Sequence, residues 1–183
     1  MAIHDIRYLG DPVLRTPTLE VTEFGTPELR QLIQDMLETM VDAPGVGLAA
    51  NQIGVGLRVL TYAVEERVGH LVNPTVELSE ELQEGDEEGC LSLPGLSYPT
   101  ARAMHAVARG FDEMGRPLTL EGSGLMARML QHEVDHLDGG LYIDRLDRAQ
   151  RKQAMRDIRE AQWAGQTQSH RSGGVLAGFA KGS

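Results

Sequence analysis

The run His132-Glu133-Val134-Asp135-His136 constrains this chain more than any other feature, because it sets two imidazoles four residues apart. On an α-helix that spacing puts both rings on one face, about one turn or ~6 Å of rise apart. Two nitrogens so placed suit one tetrahedral metal ion. Glu133 projects beside them, where a carboxylate can take a proton from a bound water. The bland alternative is a surface helix carrying two solvated histidines. Leu130, Val134 and Leu137 weigh against it, since apolar residues at these positions predict a helix packed into a core. The chain must therefore enclose this helix.

A hydrolytic metal site wants three protein ligands and an open position. The long metzincin spacing asks for a histidine six residues past His136, but that position is Tyr142. A thermolysin-type arrangement asks for a glutamate on a later helix, and Glu160 meets that description. The other contender is Cys90, in Glu88-Gly89-Cys90-Leu91-Ser92. Thiolate is a soft ligand for zinc or Fe(II), although a free cysteine is more often a small buried hydrophobe. Just before it, Glu77, Glu80, Glu81, Glu84, Asp86, Glu87 and Glu88 stand with no base among them. That run reads as a solvated face. Its charge would also raise a free thiol's pKa unless metal binding offset it.

Around these residues the pattern is mixed. Thr26-Pro27-Glu28 opens a first helix, with a cap, a first-turn proline and an acid at the positive end of the dipole. Leu29, Leu32, Ile33, Met36, Leu37 and Met40 form its apolar stripe, and Pro44-Gly45 ends it. Strands are expected over 57–64, 70–78, 102–112 and 116–121, the last two joined by an Asp112-Glu113-Met114-Gly115 turn. The histidine helix is expected from Leu125 to Leu137, capped by Ser123. A third helix spans 148–164, with Asp147 and Gln150 as a variant capping box. Helices separated from runs of strands predict an α+β fold: antiparallel sheets packed around a central metal-binding helix, with an N-terminal and a C-terminal helix.

The 183 residues suit one domain, placed at 1–164, with a flexible tail expected over 165–183. With 27 acids against 17 bases, the net charge of -10 argues against a general nucleic-acid binder, so no DNA partner is expected. One cysteine makes no intrachain disulfide. The first residues lack a secretory layout, and no apolar run approaches the ~18 residues of a membrane span. A cytoplasmic protein with no membrane partner is expected.

Gly45-Val46-Gly47-Leu48-Ala49-Ala50-Asn51-Gln52 is a Gly-rich run without the Lys-Ser/Thr ending of a P-loop. Together with Glu88–Ser92 and Gln131–His136, in this order and at about these separations, it resembles the bacterial-type peptide deformylase family, whose motifs are G-x-G-x-A-A-x-Q, E-G-C-L-S and Q-H-E-x-D-H. Asn73-Pro74 and His136-Leu137-Asp138-Gly139 also look like the family, and the resemblance covers roughly residues 3–163.

The resemblance implies a hydrolase that removes the formyl group from the N-terminal formyl-methionine of new polypeptides. It implies one divalent ion per chain on Cys90, His132 and His136, with Fe(II) expected natively and Zn, Ni or Co able to occupy the site. Glu133 becomes the proton shuttle, and the Gln52 side chain and the Leu91 backbone N–H become donors to the developing oxyanion. For the substrate it implies Gly45 and Gly47 beside the peptide backbone, and Val46, Leu125 and Met129 as walls of the methionine pocket. Arg102 resembles an arginine that binds a substrate carbonyl, its other reading being a solvated strand residue. Arg128 and Asp86 depart from the pattern, at positions where some relatives are aliphatic. Some relatives meet the ribosome through their C-terminal segment. Here the third helix has six bases (Arg145, Arg148, Arg151, Lys152, Arg156, Arg159) against Asp147, Asp157 and Glu160 over 145–160. That helix is either a ribosome-facing surface or a solvated charged face.

Overall fold

The computed structural model describes residues 2–83 and 85–168. Helix α1 (Pro27–Asp42) starts where its capping chemistry places it. Thr26 Oγ1 accepts from Leu29 N at 3.2 Å, a cap worth about 1 kcal/mol. Its stripe of Leu29, Ile33, Met36 and Met40 is buried.

Among the described residues nine strands follow in chain order: β1 (Gly47–Ala49), β2 (Val59–Val64), β3 (Arg67–Leu78), β4 (Leu82–Gln83), β5 (Glu87–Cys90), β6 (Leu93–Pro99), β7 (Arg102–Ala103), β8 (His105–Phe111) and β9 (Pro117–Ser123). The main sheet is antiparallel with order β1-β2-β3-β8-β9. The β8–β9 turn forms as the sequence predicts. Asp112 Oδ1 accepts from Met114 N and Arg116 N, both at 2.9 Å, and Gly115 supplies a positive φ of 80°. β4 pairs with β7 and β5 with β6, as two small ribbons beside the sheet.

Helix α2 (Leu125–Leu137) is central, as expected. Met126, Ala127, Leu130, Val134 and Leu137 pack on Ala49, Leu60, Leu71, Ala106, Ala108 and Leu120 of the sheet. Its histidine face turns to the β5–β6 ribbon instead. A second core joins α1, the ribbon, Leu141–Ile143 and α3 (Arg148–Glu160), which contributes Ala154 and Ile158.

Several boundaries differ from the sequence expectation. Ser123 does not cap α2, because it closes β9 and its hydroxyl meets His105 Nδ1 at 3.1 Å. Gly124, at φ 56°, takes the cap position. α3 stops at Glu160 rather than 164. Ala161 is extended, and Trp163 turns back to donate from Nε1 to Pro94 O at 2.8 Å. The first residues of the expected tail are held: Tyr8 N donates to Thr167 O at 2.9 Å, and Arg7 Nη1 to Gln168 Oε1 at 2.7 Å. Residues 169–183 of that tail lie outside the described residues. Among the described residues, no helix is long and apolar enough to cross a membrane.

Candidate metal centre

Two elements deliver the ligands. α2 sets His132 and His136 one turn apart, with ring centroids at 4.8 Å. In the β5–β6 ribbon the register shifts between Gly89 and Cys90, and such a bulge re-aims the residue that follows it. Cys90 Sγ lies 3.2 Å from His136 Nε2, which lies 3.2 Å from His132 Nε2. Among the described residues these make the one cluster of three metal-binding side chains, all buried, with donor atoms within 4.8 Å of one another.

The donor set itself fits a cation. Two imidazole nitrogens facing each other can share only one proton, which leaves lone pairs and a sulfur aimed at one point. A thiolate and two imidazoles are a donor set for zinc or Fe(II). The electrostatics agree. Burial opposes a charge on His132, but hydrogen bonds to Cys90 and Glu88 outweigh it and hold its pKa well above the usual value. Burial and the neighbouring His132 push His136 well below.

Behind His132 lies a buried ionic network. Glu88, wholly buried, takes His132 Nδ1 at 2.6 Å and Arg102 Nη2 at 2.5 Å on Oε1, then Arg102 Nε at 2.9 Å and Arg128 Nη1 at 2.8 Å on Oε2. Burial alone would raise this carboxyl's pKa. The hydrogen bonds and charges of Arg102 and His132 reverse that and hold it well below the carboxylate range. Arg102 Nη1 continues to Asp135 Oδ2 at 2.7 Å, and Asp135 also binds Arg145 Nε at 2.6 Å. Glu88 thereby fixes the tautomer and orientation of His132, since a ligating ring needs an acceptor on its other nitrogen.

Glu133 is 1% exposed, and burial raises its pKa to about 7. Its Oε2 has no hydrogen-bond partner among the described residues. Gly47 lies against this carboxylate so closely that a Cβ there would collide with Oε1, which is why the Gly-rich run is glycine at that place. Gln52 sits in a short 3₁₀ turn (Ala50–Ile53). Its Oε1 accepts from Ala49 N at 2.9 Å, and its Nε2 lies 3.3 Å from Ser92 Oγ and 3.7 Å from Cys90 Sγ.

Gly45, Val46, Gly47, Gln52, Gly89, Cys90, Leu91, His132 and Glu133 line one cleft, whose innermost space of about 10 Å³ admits roughly one water. All of these but Gly89 are residues the sequence singles out for ligation, catalysis or substrate contact. The others are placed elsewhere. Leu125 is half-buried against the sheet core, and Met129 is wholly inside that core, so it walls no accessible pocket. Arg102 departs from both sequence readings. Its side chain is fully buried, with each guanidinium nitrogen bonded to Glu88 or Asp135, and it does not line the cleft. Glu160 is exposed at the end of α3, outside the cluster.

Glu88 and Asp135 are supporting positions that sequence reasoning misses. Glu88 is hidden in an acidic run whose other described members are exposed. The signal that could find it is the unmet need of a histidine ligand for a carboxylate behind it.

The polypeptide deformylase family model matches residues 3–152. The chain is 68% identical over 167 residues to a peptide deformylase of Acidothermus cellulolyticus, covering 91% of this chain and 92% of that protein. It is 54% identical over 166 residues to one of Parafrankia sp., covering 90% of each. Among solved structures, the peptide deformylase of Thermus thermophilus superposes with a TM-score of 0.80 at 45% identity, over 86% of this chain and 94% of that one. A Synechococcus elongatus peptide deformylase in complex with actinonin gives 0.78 at 40% identity, over 84% and 85%.

Proposed function

Because the chain belongs to the peptide deformylase family, we infer that Cys90, His132 and His136 hold one divalent cation beside the formyl group of its substrate. The enzyme hydrolyses the formamide at the N-terminus of newly synthesised polypeptides, releasing formate. The observation that carries the ligand assignment is the convergence of Sγ and two Nε2 atoms within 4.8 Å. The native ion in this reading is Fe(II), which sulfur and nitrogen donors accommodate as they do zinc, with Ni or Co as substitutes.

When bound, such an ion supplies Lewis acidity and favours deprotonation of water near neutral pH. The side chains do the rest. Glu133 takes the water's proton at its carboxylate and passes it to the amine nitrogen as the C–N bond breaks. Burial favours the protonated form of this carboxyl, which helps it hold the proton between the two transfers. Gln52 Nε2 and the Leu91 N–H donate to the oxygen of the tetrahedral intermediate, a contribution of about 10²–10³ in rate per donor in comparable sites. Gly45 and Gly47 let the peptide backbone lie close, and Val46 borders the methionine side chain. Residues 1–164 form the catalytic domain in this reading, with the cytoplasm, where nascent chains are made, as its place of action.

Anaerobic incubation with formyl-Met-Ala should release formate when Fe(II) is supplied and not when it is withheld. No turnover with the ion shown to be bound would overturn the assignment.

The basic side of α3 extends the proposal to the ribosome surface. Arg145 and Arg151 turn back to Asp135 and Asp144, while Arg148, Lys152, Arg156 and Arg159 remain exposed. Reversing those four charges should weaken co-sedimentation with ribosomes at low salt without changing formate release from a dipeptide. Unchanged co-sedimentation would remove the ribosome from the proposal.

A further inference from the structure

The Gln52 amide can serve an oxyanion only if it is held in one rotation, with oxygen away from the cleft and one N–H into it. Its oxygen is fixed by Ala49 N at 2.9 Å. That bond sets which end of the amide is which, yet leaves it free to twist about the bond axis. The second constraint comes from the ligand strand. Ser92 Oγ lies 3.3 Å from Gln52 Nε2, and Ser92 is 0% exposed. An amide nitrogen carries two hydrogens about 120° apart in one plane. With one directed at Ser92, the other is fixed in direction, toward Cys90 Sγ at 3.7 Å on the side where Gln52 lines the cleft with Cys90 and Leu91.

Ser92 is itself held. Its carbonyl accepts from Leu9 N at 3.0 Å, and its N–H points at Cys90 Sγ at 3.4 Å. Three successive residues therefore have three duties: Cys90 binds the ion, Leu91 offers a backbone donor, and Ser92 anchors the second donor while steadying the sulfur.

We propose that Ser92 is a positioning residue for the deformylation reaction, acting through Gln52 by locking its amide so that one N–H meets the developing oxyanion. This rests on the reading of Gln52 as an oxyanion donor. Ser92 touches no reacting atom, and its effect belongs in kcat rather than in substrate affinity or metal content, because the donor is needed most when charge develops.

The test is a double-mutant cycle on Fe(II)- or Co(II)-loaded full-length protein with a formyl-Met dipeptide. Ser92→Ala should lower kcat roughly 10-fold, below the full loss of a donor. KM should stay within about twofold, with metal stoichiometry and the thiolate-to-cobalt absorption band unchanged. Ser92→Thr, which keeps the hydroxyl, should recover most of the rate. In a Gln52→Leu background, Ser92→Ala should change kcat by less than about twofold, as expected for residues that act as one unit. A full further drop in that background would show that Ser92 acts independently of Gln52 and would sink the proposal alone. A Ser92→Ala enzyme with wild-type kcat would sink it as well. If Gln52→Leu itself costs nothing, both the oxyanion reading and the proposal built on it fall together.

Discussion

Glu133→Gln should lower kcat by about 10²–10⁴, the usual contribution of a positioned acid–base group, while the protein retains a full complement of metal. The amide fills the same space beside Gly47, so packing is preserved. What disappears is a buried carboxylate whose Oε2 has no partner among the described residues and whose pKa is raised by burial to about 7. Glu133 is not among the three side chains whose donor atoms converge, so the ion should stay. The paired measurement is formate release against metal per chain. A variant that keeps its metal and more than about a tenth of its rate would show that another group moves the proton. A variant that loses its metal would show that Glu133 is part of the binding site.

Cys90→Ser is the second large effect, and it falls on metal binding. Serine is nearly the same size, but its hydroxyl is a hard, neutral donor where the site has a soft anion. Losing an outer-shell partner of a histidine ligand costs about 10–100-fold in metal affinity, and losing a ligand should exceed that. Dialysis against a weak chelator should strip the variant and leave the parent loaded. The fold should persist, because Cys90 packs in a core that Leu93, Tyr142 and Ile143 also fill. If the variant held its ion as tightly as the parent, the third ligand would lie elsewhere, and the distant, exposed Glu160 would return as a candidate.

Much of the molecule is legible before any coordinates. α1, α2 and the β8–β9 hairpin are written in apolar spacing, caps and turn residues, and each forms at its expected place, although Gly124 rather than Ser123 caps α2. β1 and the β5–β6 ribbon are not written that way. Their residues are chosen for what they do at the cleft, so Gly47, Gly89 and Cys90 carry no strand alternation. The ligands themselves stand out because histidine spacing on a helix is a geometric statement. Glu88 and Arg102 do not, because a fully buried ion pair and a solvated one look alike in sequence. Only the fold decides which charge in an acidic run turns inward.

That buried network also limits how the sequence can change. Glu88 accepts from four donor atoms on three side chains, and Arg102 is shared between two acids. Removing one partner of such a pair typically costs about 3–5 kcal/mol, because the other charge is left buried and alone. A domain has only about 5–15 kcal/mol in hand. Single steps away from Glu88, Arg102 or Asp135 are therefore near-dead ends, and these positions can drift only in concert. Arg128 is the exception. Glu88 keeps Arg102 on both oxygens without it, so this position remains open to replacement while its neighbours stay fixed, and lineages can diverge there without disturbing the carboxylate that orients His132.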